Sequence, residues 1–276
     1  MDQKAVDLLF TPELPNGHPR LQNLYEKAKN DFWNETTDIN WDRDITLTTA
    51  ERQALARLLS ITYYGERAAL TIASQLVATV TDEEARQVLA CQVVEEAKHV
   101  GAFQRLIPLL DNIAPPSFFA RQLLTDLVKT NDVPSKMVGM HLFVENIANH
   151  TLSALQKAIH DPLVSDVLAY IARDEKKHTA IAVLYLPQLL KNLSPIAATR
   201  LKAKQAKWVM MGLGMVWDGY EPARVLGIDL GAAGQKALKD HYRLLDRMDS
   251  TRGLLDIPGF DKIIEQVGKW ATPHQN

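Results

Sequence analysis

Apolar residues recur at helical spacing from about residue 49 to about residue 217, in stretches far too long for strands. Each stretch carries its own start signal. "TTAE" sets Thr48 as N-cap with Glu51 three residues on, a capping box, and "TDEE" repeats the device with Thr81 and Glu84. Ser135 after Pro134, Asp161-Pro162 and Ser194-Pro195 are further cap-and-proline starts. The pattern predicts helices at 49–79, 82–111, 117–130, 135–160, 162–192, 195–217, 233–248 and 261–271. Ahead of them, "TPELPNGHP" is turn-rich and "DFWNETTDINWDRD" mixes aromatic with polar residues, so 11–45 reads as an irregular arm. No alternating run bounded by turns competes as a sheet. The expected class is all-α, a four-helix bundle core with extra flanking helices. One domain over 1–276 is expected: an N-terminal arm (1–45), the bundle (46–192) and additional C-terminal helices (193–276).

Charge interrupts the apolar faces in a regular way. "VVEEAKHVGAF" (93–103) and "IARDEKKHTAI" (171–181) each place Glu-x-x-His in an oily setting. One such motif on a helix is usually a solvated pair. Here each is preceded by a glutamate on the partner helix at the same distance: Glu66 and Glu96 are 30 apart, as are Glu145 and Glu175. Residues three apart share a helix face, so each motif aims a carboxylate and an imidazole at one point. Two such helix pairs bring Glu66, Glu96, His99, Glu145, Glu175 and His178 into one bundle core. Four buried carboxylates need compensation, and two divalent metals supply four positive charges through oxygen and nitrogen ligands. Bundles that hold two iron or manganese ions use this set of side chains.

Composition narrows the function classes. Thirty-one basic against 33 acidic side chains give a net charge of −2, which offers no field for nucleic acid or an anionic membrane. The single cysteine, Cys91, excludes an intrachain disulfide and a thiolate metal cluster; it reads as core packing. "MDQKAVDLLF" has no secretory pattern and no uncharged stretch reaches the ~20 residues of a membrane span, so a cytoplasmic protein is expected.

The motifs resemble the ferritin-like dimetal superfamily over roughly 30–190, and within it the ribonucleotide reductase small subunit and the related ligand-binding oxidases. "IARDEKKH" and "DFWN" are similar to the reductase subunit; "YYGERAAL" followed by "EEAKHV" is closer to the oxidases. The resemblance implies that Asp174 bonds the imidazole of His99 and that Trp33 stands beyond it as an electron relay, with Trp41 close by as the other tryptophan of the arm. It also exposes departures. Phe103 occupies the place of the radical-forming tyrosine, and "KWATPHQN" is unlike the reductase docking tail. Ala69 and Met140 stand where the oxidases form a valine–tyrosine cross-link, leaving a small apolar lining of Ala69, Phe103 and Met140 beside the metals. His141 and Asn149 lie one turn to either side of Glu145, so ligand contact and core hydrogen bonding are both open to them. "WVMMGLGMVW" (208–217) reads as core or dimer contact, with a hydrophobic tunnel as the alternative.

The leading expectation is an O2-activating oxidoreductase with two metal ions per chain, Fe/Fe or Mn/Fe. Its partners would be a small organic substrate, an electron donor and a second copy of the chain. The alternatives are a reductase small subunit that keeps its oxidising equivalent on the metals, and an iron-oxidising or iron-storage protein.

Overall fold

Thr48 begins the first long helix as the capping box dictates, its hydroxyl accepting from the Glu51 N–H while the Glu51 carboxylate accepts from the Thr48 N–H. The computed structural model describes residues 10, 17–191, 193–248, 252–257 and 259–271. All of "TPELPN" and the last five residues of "KWATPHQN" lie outside them. The described helices are α1 (Pro19–Asn30), α2 (Thr49–Thr79), α3 (Glu83–Leu110), α4 (Phe118–Lys129) and α5 (Val133–Met137). There follow a π-helical segment, π1 (Val138–Val144), then α6 (Glu145–Ala158), α7 (Pro162–Lys191) and α8 (Pro195–Val225). α9 (Leu230–Arg247), α10 (Arg252–Leu255) and α11 (Phe260–Ala271) end the chain. Among the described residues there is no strand, and the all-α class holds.

The bundle is made of two helix pairs. α2 packs along α3, and α6 packs along α7, each pair joined by a short turn. α8 crosses α2 and α4, and α9 lies against α6 and α11. No described helix is long and apolar enough to cross a membrane.

Three expectations need correction. The arm is not irregular throughout: α1 occupies Pro19–Asn30 and buries Leu21, Leu24 and Ala28 against α3 and α7. Those residues have helical spacing, outweighed in the sequence reading by the turn-rich segment before them. The "TDEE" start is capped by Asp82, which accepts from the Ala85 N–H, and not by Thr81. Glu84 instead takes the His18 N–H and the Gln22 side chain of α1, which docks the arm. Finally, the helix expected over 135–160 starts earlier, capped by Asp132, and is broken by π1, where the Glu145 N–H reaches back five residues to the Met140 carbonyl. Cys91 is only partly buried.

Candidate metal centre

The four bundle helices deliver the six predicted residues to one point. None of Glu66, Glu96, His99, Glu145, Glu175 and His178 is more than 4 % exposed. They form two overlapping clusters, Glu66–Glu96–His99–Glu175 and Glu96–Glu145–Glu175–His178, in each of which the ligand atoms lie within 4.8 Å of one another. His99 Nδ1 is 3.2 Å from Glu66, 3.5 Å from Glu96 and 3.3 Å from Glu175. His178 Nδ1 is 3.1 Å from Glu96, 3.5 Å from Glu175 and 3.8 Å from Glu145. Glu96 and Glu175 belong to both clusters, so they stand where bridging ligands would.

Both imidazoles turn Nδ1 inward and Nε2 outward to a carboxylate. His99 Nε2 is 3.3 Å from Asp174 Oδ2, and His178 Nε2 is 2.9 Å from Glu95 Oε2. Each acid precedes the glutamate of one motif yet supports the histidine of the other, so the two motifs cross-brace. Buried lysines complete this outer ring. Lys177 reaches Glu95 at 2.5 Å and Asp174 at 2.8 Å, and Lys98 reaches Asp174 at 3.3 Å. Two lysines against two acids leave the inner four glutamates to be balanced by two divalent ions. Sequence reasoning overlooked Glu95, Lys98 and Lys177, although "EEAKH" and "DEKKH" repeat them in register.

The donor set fits such ions. Glu96 Oε2, both oxygens of Glu175 and His178 Nδ1 are buried without a hydrogen-bond partner, a costly arrangement that coordination would relieve. Burial, reinforced by the charge of Glu175, pushes Glu66 and Glu145 well above the usual carboxylate range. Burial opposes ionisation of Glu96 and Glu175 too, but His178 holds Glu96 down, and Glu145 and His178 hold Glu175 far down. Burial would lower both histidines, yet Asp174 and the glutamates raise His99, and Glu96 and Glu175 raise His178. Metal-free, the six ligands therefore balance as two acids, two carboxylates and two imidazoliums. Two divalent ions replacing those protons preserve neutrality.

Trp33 is buried and donates its Nε1–H to Asp174 Oδ2 at 2.6 Å. On its other side it stacks on Tyr170, ring centres 4.8 Å apart. Trp41 instead bonds the Glu35 carbonyl and has no such link to Asp174. Ala69 and Met140 line an apolar cavity of about 250 Å³ that includes Glu66 and Glu145 in its wall. The cavity runs between α2, π1–α6, α8 and α9. Val209, Gly212, Leu213, Met215 and Val216 of "WVMMGLGMVW" form part of its lining, in keeping with the tunnel alternative.

Three of the candidate residues lie outside the cavity wall. Phe103, one turn after His99, is fully buried in the core with Trp33, Leu59 and Tyr63, and does not line the cavity, whose wall includes no residue of α3. Asn149 donates to the Glu145 carbonyl at 2.9 Å and to Thr179 at 3.2 Å, tying α6 to α7. His141 is absent from the cavity wall; its Nε2 meets the Gln92 side chain at 2.9 Å. The wider π turn explains the exchange: with bonding over five residues, Met140 stacks beneath Glu145 and His141 rotates away.

No family profile matches the sequence, and no curated protein matches it. Solved structures do. One R2-like ligand-binding oxidase variant with an anaerobically reconstituted Mn/Fe cofactor superposes with a TM-score of 0.60 at 18 % identity, covering 92 % of this chain and 97 % of that one. A second variant of that oxidase, also with Mn/Fe, gives 0.59 at 17 % identity over 90 % and 95 %. A protein with aldehyde deformylating oxidase activity from Synechococcus gives 0.55 at 20 % identity over 72 % and 98 %. The chain thus shares the all-α, ferritin-like bundle fold of these proteins.

Proposed function

We propose that this protein is a non-haem dimetal oxidoreductase, Fe/Fe or Mn/Fe, that uses O2 to oxidise a small apolar organic substrate. The observation that carries this reading is the pair of overlapping buried clusters with Glu66 and Glu145 facing an apolar cavity. When bound, the two metals supply the redox chemistry that passes electrons to O2. The chain supplies the rest. Glu66 and His99 would hold one ion and Glu145 and His178 the other, with Glu96 and Glu175 within reach of both. Asp174 and Glu95 fix the Nδ1-inward orientation of the imidazoles and strengthen them as ligands. The apolar wall orients the substrate and excludes water. Trp33, bonded to Asp174 and stacked on Tyr170, gives electrons from a donor a route to His99. The Mn/Fe cofactor of the oxidases and the aldehyde chemistry of the Synechococcus protein accord with this assignment.

The test is Ala69→Phe. Ala69 is buried in the cavity wall and is no ligand, so the variant should bind both metals and melt within a few degrees of the parent. Its O2 uptake should no longer respond to apolar substrates. Undiminished stimulation together with a stability loss of ~1–3 kcal/mol, the usual cost of overpacking, would mean that Ala69 belongs to the core and would remove the substrate assignment.

A further inference from the structure

One more polar side chain is buried among the ligands. Gln92 lies on α3 one turn before Glu96 and is 2 % exposed. Its Nε2 is 3.0 Å from Glu96 Oε1 and 3.1 Å from Glu145 Oε1, and its Oε1 is 2.9 Å from His141 Nε2. A carboxamide has two N–H donors and one carbonyl. Here one donor goes to Glu145 and the other to Glu96 Oε1, the oxygen of that shared residue that lies 3.1 Å from His178 Nδ1 while its Oε2 faces His99, and the carbonyl is occupied by a histidine that is fully buried. The reverse orientation would set the carbonyl against two carboxylate oxygens, so the amide orientation calls for the His141 tautomer that donates from Nε2. His99 and Glu66 receive nothing from this pair. Their cluster is supported by Asp174, Lys98 and Trp33.

We infer that Gln92, oriented by His141, is a positioning residue chiefly for one of the two metals, the ion that Glu145 and His178 would hold together with the shared Glu96 and Glu175. Glu145 is the ligand at stake, because it also borders the apolar cavity and starts α6 directly after the π turn. The Glu145 oxygen bonded to Gln92 is also the one that faces His178 Nδ1, so the amide holds this carboxylate toward the cluster and out of the substrate space. The π turn makes this possible, since it rotates His141 off the cavity face and onto Gln92. The two metal positions are consequently unequal in how the protein supports them. This inference rests on the dimetal reading and adds a division of labour to it.

The experiment is calorimetric titration of the full chain with Mn²⁺, with the ions located by anomalous diffraction. The parent should bind two ions. Gln92→Met keeps the volume but removes both donors; affinity at the His178 cluster should fall roughly 10–100-fold while the His99 cluster changes far less. His141→Phe should weaken the same cluster by a smaller factor, and His141→Gln, which restores an N–H donor, should recover it. A purely structural role would lower the melting temperature without separating the two affinities. Unchanged affinities in Gln92→Met, or equal losses at both clusters, would overturn the inference. If Gln92→Met does not fold, the His141 pair decides: selective loss and recovery supports it, and identical behaviour of the two variants overturns it. A parent that fails to bind two ions would overturn the dimetal reading and this inference with it.

Discussion

Glu96 and His178 differ in what they hold together, and their variants should differ accordingly. Glu96 lies in both clusters, so Glu96→Ala should leave less than one tightly bound metal per chain. His178 lies in one, so His178→Ala should keep an ion beside His99. Elemental analysis that finds full occupancy in both would remove the ligand assignment. One shell outward, Asp174 is held ionised, against its burial, chiefly by His99, and further by Lys177 and Trp33. Asp174→Asn keeps the shape but loses the charge, so metal affinity at the His99 cluster should drop ~10–100-fold, as for other carboxylates behind metal-bound histidines. Competitive chelator titration reads this directly; equal affinity in parent and variant would show that Asp174 serves packing alone.

The informative element is the helix carrying Glu145. Its π turn lies against α4 and α8 at Gly139, where a methyl group would collide with the Leu127 side chain and come within 3.0 Å of the Trp208 ring. Trp208 is itself fixed, fully buried and donating to Asp126 at 2.7 Å. Gly139→Ala should therefore cost ~1–3 kcal/mol by overpacking, seen as a lowered midpoint in thermal unfolding. A midpoint equal to the parent's would show that the three helices have room to separate. The close approach matters for the site, because it sets how far π1 sits from α2 and hence the width of the cavity between Ala69 and Met140.

For the molecule as a whole, the proton count of the centre sets its response to pH. His99 and His178 have folded values raised above the ordinary 6.5, so their contribution to metal-free stability is complete below that pH and is lost as pH rises through the raised values. Glu66 and Glu145, raised above 4.5, act in the same direction. Metal-free protein should become less stable from neutral to alkaline pH. Metal binding must displace these protons, two from imidazoliums and two from carboxylic acids, so affinity should rise with pH over the same range. Calorimetry in buffers of different ionisation enthalpy counts the released protons. A pH-independent affinity would contradict the proton inventory.

The chain by itself determined most of the long helices and singled out the six candidate ligands, because both are written in short-range spacing. A capping box closes within four residues, and Glu-x-x-His shares a face wherever a helix forms. The equal 30-residue offsets then required only that each helix pair turn back on itself. α1 was legible in Leu21, Leu24 and Ala28, but its neighbouring turn residues obscured it. What the sequence did not decide was every relation between segments far apart in the chain. Nothing local says that Glu95 supports His178 and not His99, that Gln92 meets His141 across 49 positions, or that residues of α8 and α9 leave a cavity beside Glu145. The π turn belongs with these. Its wider register is unfavourable in an isolated helix and is held in place by packing around Gly139 and by the partner it gives His141, so only the assembled bundle selects it.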